Sequence, residues 1–296
     1  MNNNFILSCE STVDLPYSYI TGRGISVLFY TYTMDGEEIL DNMGRDQNAQ
    51  AVFYEKIENG SLPSTSQINT YRYIEYFDKL LEKSDVIHIA FGSGMTPSVA
   101  NAIEAANTLK SKYPNRRISV IDSLCSSVGY GLLTESAADY KDSGADFDEV
   151  EKWIVDHRLN IHHQFFSTDL TMFKRSGRVS GPTAMFGTIL GICPLMHLNS
   201  EGRIIAYEKS RGKKTAIHKT AEAVKTNYRD MGAYTKKCYI GHSNCEELAQ
   251  AAKAAIEEKV PALNGNIFIA DIGTIVASHC GPGTVAVFFY GEERKN

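Results

Sequence analysis

Four short turns of the sequence are rich in hydroxyl side chains, which can bind anions. Three of these turns follow strand-like runs, and the fourth precedes a helical pattern; they span residues 11–14, 93–98, 122–127 and 63–67. Ser, Thr and Asp are preferred N-cap residues, so each turn alone is explained by helix capping. At the carboxyl edge of a parallel sheet, however, such turns meet beside helix N-termini, which favour anions. The set as a whole therefore predicts an anion-binding site.

His279 is a further candidate for this chemistry. It stands in segment 272–284, which reads as a glycine-rich turn between apolar segments. A lone histidine is usually a structural residue. Placed opposite hydroxyls, it could instead donate to a buried carboxylate, whose burial without partners is costly.

Phosphate-binding and hydrolase motifs are poorly matched. Segment 210–215 lacks the earlier glycine of a P-loop, and the glycines at 281 and 283 precede a β run instead of the helix of a dinucleotide fingerprint. The sequence also lacks the G-x-S-x-G elbow that presents a nucleophilic serine. Nucleotide binding and serine hydrolase chemistry are thus not favoured.

The elements that must position these residues alternate between strand and helix. Apolar runs at 5–8, 86–91 and 118–121 are each followed by a turn and a helical spacing, which predicts βαβ units and a parallel, Rossmann-like sheet. Residues 25–33 read as one more strand. Asp146 and Glu149 have the spacing of a capping box.

Near His162 the pattern changes to strand runs at 164–168, 203–208, 238–241, 267–270 and 285–290, with an apolar stretch at 183–198. A chain of 296 residues exceeds the usual size of one hydrophobic core. We therefore predict an α/β protein of two α/β domains, residues 1–162 with the parallel sheet and residues 163–296 with a mixed sheet.

Composition excludes several classes of protein. Hydrophobic residues make up 43% and charged residues 22%, which is ordinary for a globular chain, and the net charge of -5 gives no basis for nucleic-acid binding. No signal peptide and no membrane-spanning stretch are visible. The six cysteines form no C-x-x-C pair, so neither a metal site nor a disulfide framework is expected. These features favour a cytoplasmic protein with reduced thiols.

Taken in order, the motifs resemble the DegV family, which includes the fatty-acid-binding subunits of bacterial fatty acid kinase. The resemblance covers essentially the whole chain. Glu10 stands where the family usually has Asp, Pro97 departs from its usual Ser-Gly-Thr, and Cys280 replaces a common Thr. The motifs that carry the resemblance lie at residues 11–15, 63–67, 93–98, 122–123, 176–178, 194–195, 211–214 and 279–284.

This resemblance implies one long-chain fatty acid held between the two domains as the bound ligand, without a further cofactor or a metal. The carboxylate would bind Thr65 and Thr96, with Ser66, Ser93 and His279 nearby. An activated Thr–His pair at the same place is the alternative, and it would make the protein a small-molecule hydrolase or transferase. A binding module that senses a different apolar acid is a third possibility.

The apolar tail needs a long, dry channel. Segment 185–192 has a suitable composition, although plain core is the simpler explanation at any one position. The expected lining residues are Phe165, Phe166, Met172, Phe173, Met185, Phe186, Ile189 and Ile192.

Two basic clusters stand out in this acidic chain, around Arg178 and around Arg211. Solvated surface charge explains them equally well. The resemblance implies instead that these arginines contact a kinase partner or its acyl phosphate product, because arginine suits phosphate geometry. The favoured function is a lipid carrier, without catalysis of its own, that presents a fatty acid to a kinase for phospholipid synthesis.

Overall fold

A computed structural model describes residues 5–180, 191–232 and 235–295. The strands, in chain order, are β1 Phe5–Glu10, β2 Ser26–Leu28, β3 Thr31–Met34, β4 Glu37–Leu40, β5 Ser64–Thr65, β6 Asp85–Ala90, β7 Ile118–Asp122, β8 Ile161–Ser167, β9 Val179–Ser180, β10 Ile192–Leu198, β11 Ile204–Arg211, β12 Cys238–His242, β13 Ile267–Asp271 and β14 Thr284–Tyr290.

The helices complete this alternation. They are α1 Tyr17–Gly22, α2 Ala49–Glu58, α3 Thr70–Leu81, α4 Ser98–Leu109, α5 Ser127–Asp142, α6 Phe147–His157, α7 Thr171–Ser176, α8 Lys213–Asn227, α9 Glu246–Lys259 and α10 Thr274–Cys280, with short 3-10 turns at Ser11–Val13 and Pro261–Leu263.

Three sheets organise the chain. A four-stranded parallel sheet has the order β2-β1-β6-β7, and a seven-stranded mixed sheet has the order β13-β12-β14-β8-β10-β11-β9. A small antiparallel sheet, β4-β3-β5, contacts α10. The predicted α/β class, with one parallel and one mixed sheet, is confirmed.

Helix α5 joins the two large sheets at very short range. It packs against β8, β12 and β14 on one side and against the turn Ser11–Val13 on the other. A Cβ atom on Gly129 would lie 2.4 Å from His163 Nε2, and one on Gly131 would lie 2.4 Å from the carbonyl oxygen of Val13. Because glycine has no side chain at these two positions, α5 can pack closely against both neighbours. One continuous hydrophobic core includes residues from Phe5 to Tyr290.

The predicted domain limit at 162/163 falls inside β8. The first large sheet takes its last strand from β7, and the second takes its first strand from β8, so α5 and α6 carry the chain from one to the other. The limit itself stays a prediction. Among the described residues, no helix is long and apolar enough to cross a bilayer.

Two local predictions were wrong. Residues 25–33 form two strands of different sheets instead of one, because the chain leaves β2 at Phe29 and the backbone N–H of Tyr30 donates to Ser11 Oγ (3.1 Å). His279 belongs to α10 instead of a turn. That helix buries Ile275, Ala277 and Ser278, and it is followed by Gly281, whose positive φ of 67° suits glycine.

Candidate ligand-binding site

A cavity of about 250 Å³ lies where residues from both large sheets and the small sheet meet. β5 supplies Thr65, α10 supplies His279, and the turn after β6 supplies Thr96. Its described lining residues are Tyr30, Thr65, Ser66, Gln67, Phe91, Met95, Thr96, Pro97, Ser126, Phe173, Arg178, Ile204, Ile275, Val276, His279 and Cys280.

Thr65 and His279, which are 214 positions apart, form a hydrogen bond in this cavity. Thr65 Oγ1 lies 2.7 Å from His279 Nε2. Burial first, and then the positive charges of Arg178 and Arg175, lower the pKa of His279 to about 4. The imidazole is therefore neutral at pH 7. In the tautomer whose Nε2–H donates to Thr65 Oγ1, the threonine hydroxyl proton is left for an anionic ligand.

Thr96 is held at the start of α4 by a local network. Its Oγ1 accepts from the backbone N–H of Ser98 (3.3 Å) and lies 3.0 Å from Ser98 Oγ, which in turn accepts from the N–H of Ile68 (3.1 Å). The hydroxyl thus accepts from the first N–H of α4, whose N-cap position is Pro97, and Thr96 also lines the cavity. Its role in holding a ligand stays a prediction.

Tyr30 is a lining residue that sequence reasoning missed. Its side chain is buried, and its hydroxyl makes no hydrogen bond of good geometry within the described residues. Burial and the nearby charge of Glu10 raise the pKa of Tyr30. The phenol therefore stays protonated at neutral pH, beside the side chains of Ser98, Thr96 and Tyr73.

Arg178 brings positive charge to the same wall. Its guanidinium donates to the carbonyl oxygen of Ser176 (2.6 Å), while Arg175 donates to the carbonyl oxygen of Pro63 (2.8 Å). The described lining residues include neither Asp nor Glu. This end of the cavity is consequently suited to a carboxylate.

Two predicted site residues, Ser93 and Arg211, lie off the cavity. Ser93 is exposed, and its backbone N–H donates to Asp122 Oδ1 (3.0 Å); Arg211 is exposed at the end of β11. Ser66 lies on the rim, where it is exposed but lines the cavity. The geometry therefore brings Thr65, Ser66, Thr96, His279 and Arg178 together, without Ser93 or Arg211.

A smaller, mostly apolar space of about 60 Å³, which we call the apolar passage, adjoins the cavity. It adds Phe165 and Phe288 to the lining, and the residues that line both spaces are Met95, Ser126, Phe173, Ile204, Val276 and Cys280. Phe166 and Met172 are buried elsewhere, since Phe166 belongs to a core on the other side of β8 and Met172 packs beside Gly281. Ile192, at the start of β10, also lies off both spaces. Met185, Phe186 and Ile189 lie outside the described residues.

These two spaces form one site with a polar end and an apolar end. Over the described parts of the chain, no group of three or more His, Cys, Asp or Glu side chains is placed to hold a metal. Such a site fits an amphipathic acid, with the acid group near Thr65 and the hydrocarbon beyond Phe173.

Comparison with known proteins identifies the family to which this chain belongs. The family model described as an uncharacterised protein of the DegV family matches residues 7–292. A DegV domain-containing protein of Clostridium perfringens is 31% identical over 292 residues, which cover 98% of this chain and 99% of the relative. The chain therefore belongs to the DegV family.

Solved structures share the fold. A DegV-family protein of Thermus thermophilus, described as binding fatty acid, superposes with a TM-score of 0.81 at 25% identity, covering 97% of this chain and 99% of that one. A family member from Ruminococcus gnavus, whose structure is described with vaccenic acid, gives a TM-score of 0.84 at 22% identity over 97% and 100% of the two chains.

Proposed function

We propose that this protein binds one long-chain fatty acid, with the carboxylate at Thr65, Thr96 and His279 and the acyl chain in the apolar passage. The observation that carries this proposal is the cavity itself, which has hydroxyls, a neutral imidazole and Arg178 at one end and buried apolar side chains at the other. The fatty acid binding described for the Thermus thermophilus relative supports the same assignment.

The energetics of such a ligand favour tight binding. At about 0.8 kcal/mol per buried CH₂, a chain of roughly sixteen carbons gains on the order of 12 kcal/mol before ordering costs. The polar end adds orientation, because a carboxylate buried there keeps hydrogen bonds from hydroxyls and a positive charge from Arg178. The tail thus supplies affinity, and the polar end fixes which way the ligand enters.

The carboxylate end lies next to solvent. Ser66, Gln67 and Pro97 line the cavity and are exposed, whereas Phe91, Phe173 and Cys280 are buried. A partner enzyme could reach the acid group without extracting the tail. We therefore propose a carrier that presents the carboxylate to a fatty acid kinase, for acyl phosphate formation in phospholipid synthesis. All six cysteines are unpaired, which fits the reducing cytoplasm proposed as its location.

A hydrolase or transferase is the second candidate, favoured by the Thr65–His279 hydrogen bond. The pKa of His279, about 4, makes it a weak base, and the described cavity wall offers no carboxylate to orient the imidazole. A carrier requires neither feature, so we place it first.

Native mass spectrometry of purified protein, followed by extraction of any bound molecule, tests the proposal. We expect one fatty acid per chain and no turnover by the protein alone. In Thr65→Val, loss of a hydrogen bond to a charged group costs about 1.5–3 kcal/mol, or roughly ten- to hundredfold in fatty acid affinity. Thr108→Val, on the exposed face of α4, is the matched control. An empty protein that also fails to take up added fatty acid would contradict the proposal.

Arg211 tests the contact with the kinase separately, because it lies off the cavity. We expect Arg211→Ala to keep fatty acid affinity while slowing acyl phosphate formation by a kinase with ATP at least tenfold, since an exposed arginine is suited to a phosphate or an acidic partner. Arg116→Ala, at an exposed position in the loop before β7, should leave the rate unchanged. A normal rate in Arg211→Ala would exclude this residue from the contact. Arg178 is less suitable for this test, because its loss would also change the cavity.

A further inference from the structure

Arg294, in the segment after β14, has a buried guanidinium group that joins three distant parts of the chain. The residue is only 5% exposed. Its Nη1 donates to the carbonyl oxygen of Asn199 (3.1 Å), and its Nη2 donates to the carbonyl oxygens of Leu124 (2.8 Å) and Arg158 (3.4 Å). These acceptors lie in the turn between β10 and β11, in the loop between β7 and α5, and at the end of α6. One side chain therefore holds three segments together.

The charge of Arg294 is buried without a carboxylate partner in the described chain. The acceptors of its guanidinium there are the three carbonyl oxygens and the thiol of Cys125, and Asp122 contributes only through its charge. Burying a charge costs free energy that an apolar side chain would not lose. The hydrogen bonds of Arg294 therefore indicate that these three segments need fixed positions.

Two of the three segments supply walls of the apolar passage. Ser126 and Ser127 come from the loop between β7 and α5, and Leu198 and Ile204 flank the turn between β10 and β11. Ser126 and Ile204 also line the larger cavity. Arg294 is not among the described lining residues of either space, so it acts on the site only through the segments that it holds.

The same segments touch the turn that carries Met95. The backbone N–H of Gly92 donates to the carbonyl oxygen of Cys125 (3.0 Å), in the loop between β7 and α5. A Cβ atom on Gly94 would clash with the carbonyl oxygen of Gly202, so this turn and the turn between β10 and β11 meet backbone to backbone. No side chain lies between them that could adjust to a shift. A displacement of either held segment would therefore move this wall as well.

The charge of Arg294 also acts on His163, which lines the apolar passage. Burial first, and then the charge of Arg294, lower the pKa of His163 well below its usual value, so the ring is neutral at pH 7. Its Nε2 accepts from the backbone N–H of Ser126 (3.1 Å), and its Nδ1 donates to the carbonyl oxygen of Ile161 (3.1 Å). Only a neutral ring can accept in this way, because a protonated histidine donates from both nitrogens. Arg294 thus supports the loop at Ser126 by charge as well as by hydrogen bonds.

We propose that Arg294 is a positioning residue of the fatty acid site, which holds the walls of the apolar passage at the spacing that an acyl chain requires. This inference rests on the proposed function. Thr65 and His279 belong to β5 and α10, which receive no hydrogen bond from the Arg294 side chain. Loss of Arg294 should therefore affect the far end of a long acyl chain more than the carboxylate end. A short acid, which occupies the polar end alone, should bind nearly as before.

Titration of delipidated protein with hexadecanoic acid and with decanoic acid tests this inference. Methionine at position 294 fills a similar space but donates no hydrogen bond. We expect Arg294→Met to lower the affinity for hexadecanoic acid by about tenfold or more and that for decanoic acid by less than about threefold. The ratio of the two dissociation constants should therefore fall. Arg203→Met is the matched control, because Arg203 lies beside the same turn with its side chain exposed, and its ratio should equal that of the parent.

Arg294→Lys keeps the test decisive if urea unfolding shows that Arg294→Met does not fold. Lysine retains the charge, but one ammonium lacks the planar fork that reaches three carbonyl oxygens, so the ratio should fall in the same direction. An equal loss of affinity for both acids, or an unchanged ratio in a folded variant, would overturn this inference and leave the proposed function standing. A folded parent chain that binds neither acid would contradict the proposed function, and this inference with it.

Discussion

Glu10→Ala is expected to destabilise the protein by about 3–5 kcal/mol, the cost typical of breaking a buried charge network. Glu10 is fully buried at the end of β1. Its carboxylate accepts from Tyr73 Oη (2.5 Å), from the backbone N–H of Phe91 (2.5 Å) and from Tyr130 Oη (3.3 Å), with His88 Nε2 at 3.2 Å. Alanine would leave Tyr73 Oη and the N–H of Phe91 buried without this acceptor, whereas Tyr130 Oη would keep the carbonyl oxygen of Ile89.

The same change should weaken ligand binding. Phe91 begins the turn that places Met95 and Thr96 on the cavity wall, so its lost hydrogen bond would loosen that wall. Urea unfolding measures the stability, and a fatty acid titration measures the binding. Glu10→Asp keeps the carboxylate on a side chain that is one CH₂ shorter and should lose less. Glu82→Ala, at an exposed position, is the control. If Glu10→Ala lowered the free energy of unfolding by less than about 1 kcal/mol, the network would not be a major source of stability.

Local signals in the sequence predicted much of the fold because they act over a few residues. The Asp146–Glu149 capping box is present with both of its hydrogen bonds, at 3.0 and 2.8 Å. The run 118–121 is β7 within one residue. Residues 25–33 carry no local signal of a strand boundary, because their strand-like composition continues without a break. The chain nevertheless passes there from the parallel sheet to the small antiparallel sheet.

The candidate site depends on contacts between distant residues, which periodicity cannot show. The family resemblance placed Thr65 and His279 near each other, and a 2.7 Å hydrogen bond joins them, while their contact with a ligand stays a prediction. Tyr30, Met95 and Val276 carry no recognisable signal, because an aromatic or apolar residue has the same pattern in a tunnel wall as in a core.

Met95→Trp is expected to remove the bound fatty acid while leaving the fold intact. Met95 lines both the 250 Å³ cavity and the 60 Å³ passage and is only half-buried, in the turn before α4. An indole there would fill the narrow space that an acyl chain must cross, whereas its partial exposure lets the turn adjust. We expect fatty acid affinity to fall at least a hundredfold, equivalent to about 2.7 kcal/mol.

Two comparisons separate a blocked passage from general damage. Met95→Leu nearly conserves volume and should keep one fatty acid per chain by native mass spectrometry, and urea unfolding should show Met95→Trp to be folded. Thr65→Val should differ from Met95→Trp by still binding the acyl chain, only more weakly, since it alters the polar end alone. A folded Met95→Trp variant with normal fatty acid affinity would show that the acyl chain lies elsewhere, because a tail of sixteen carbons cannot share this passage with an indole.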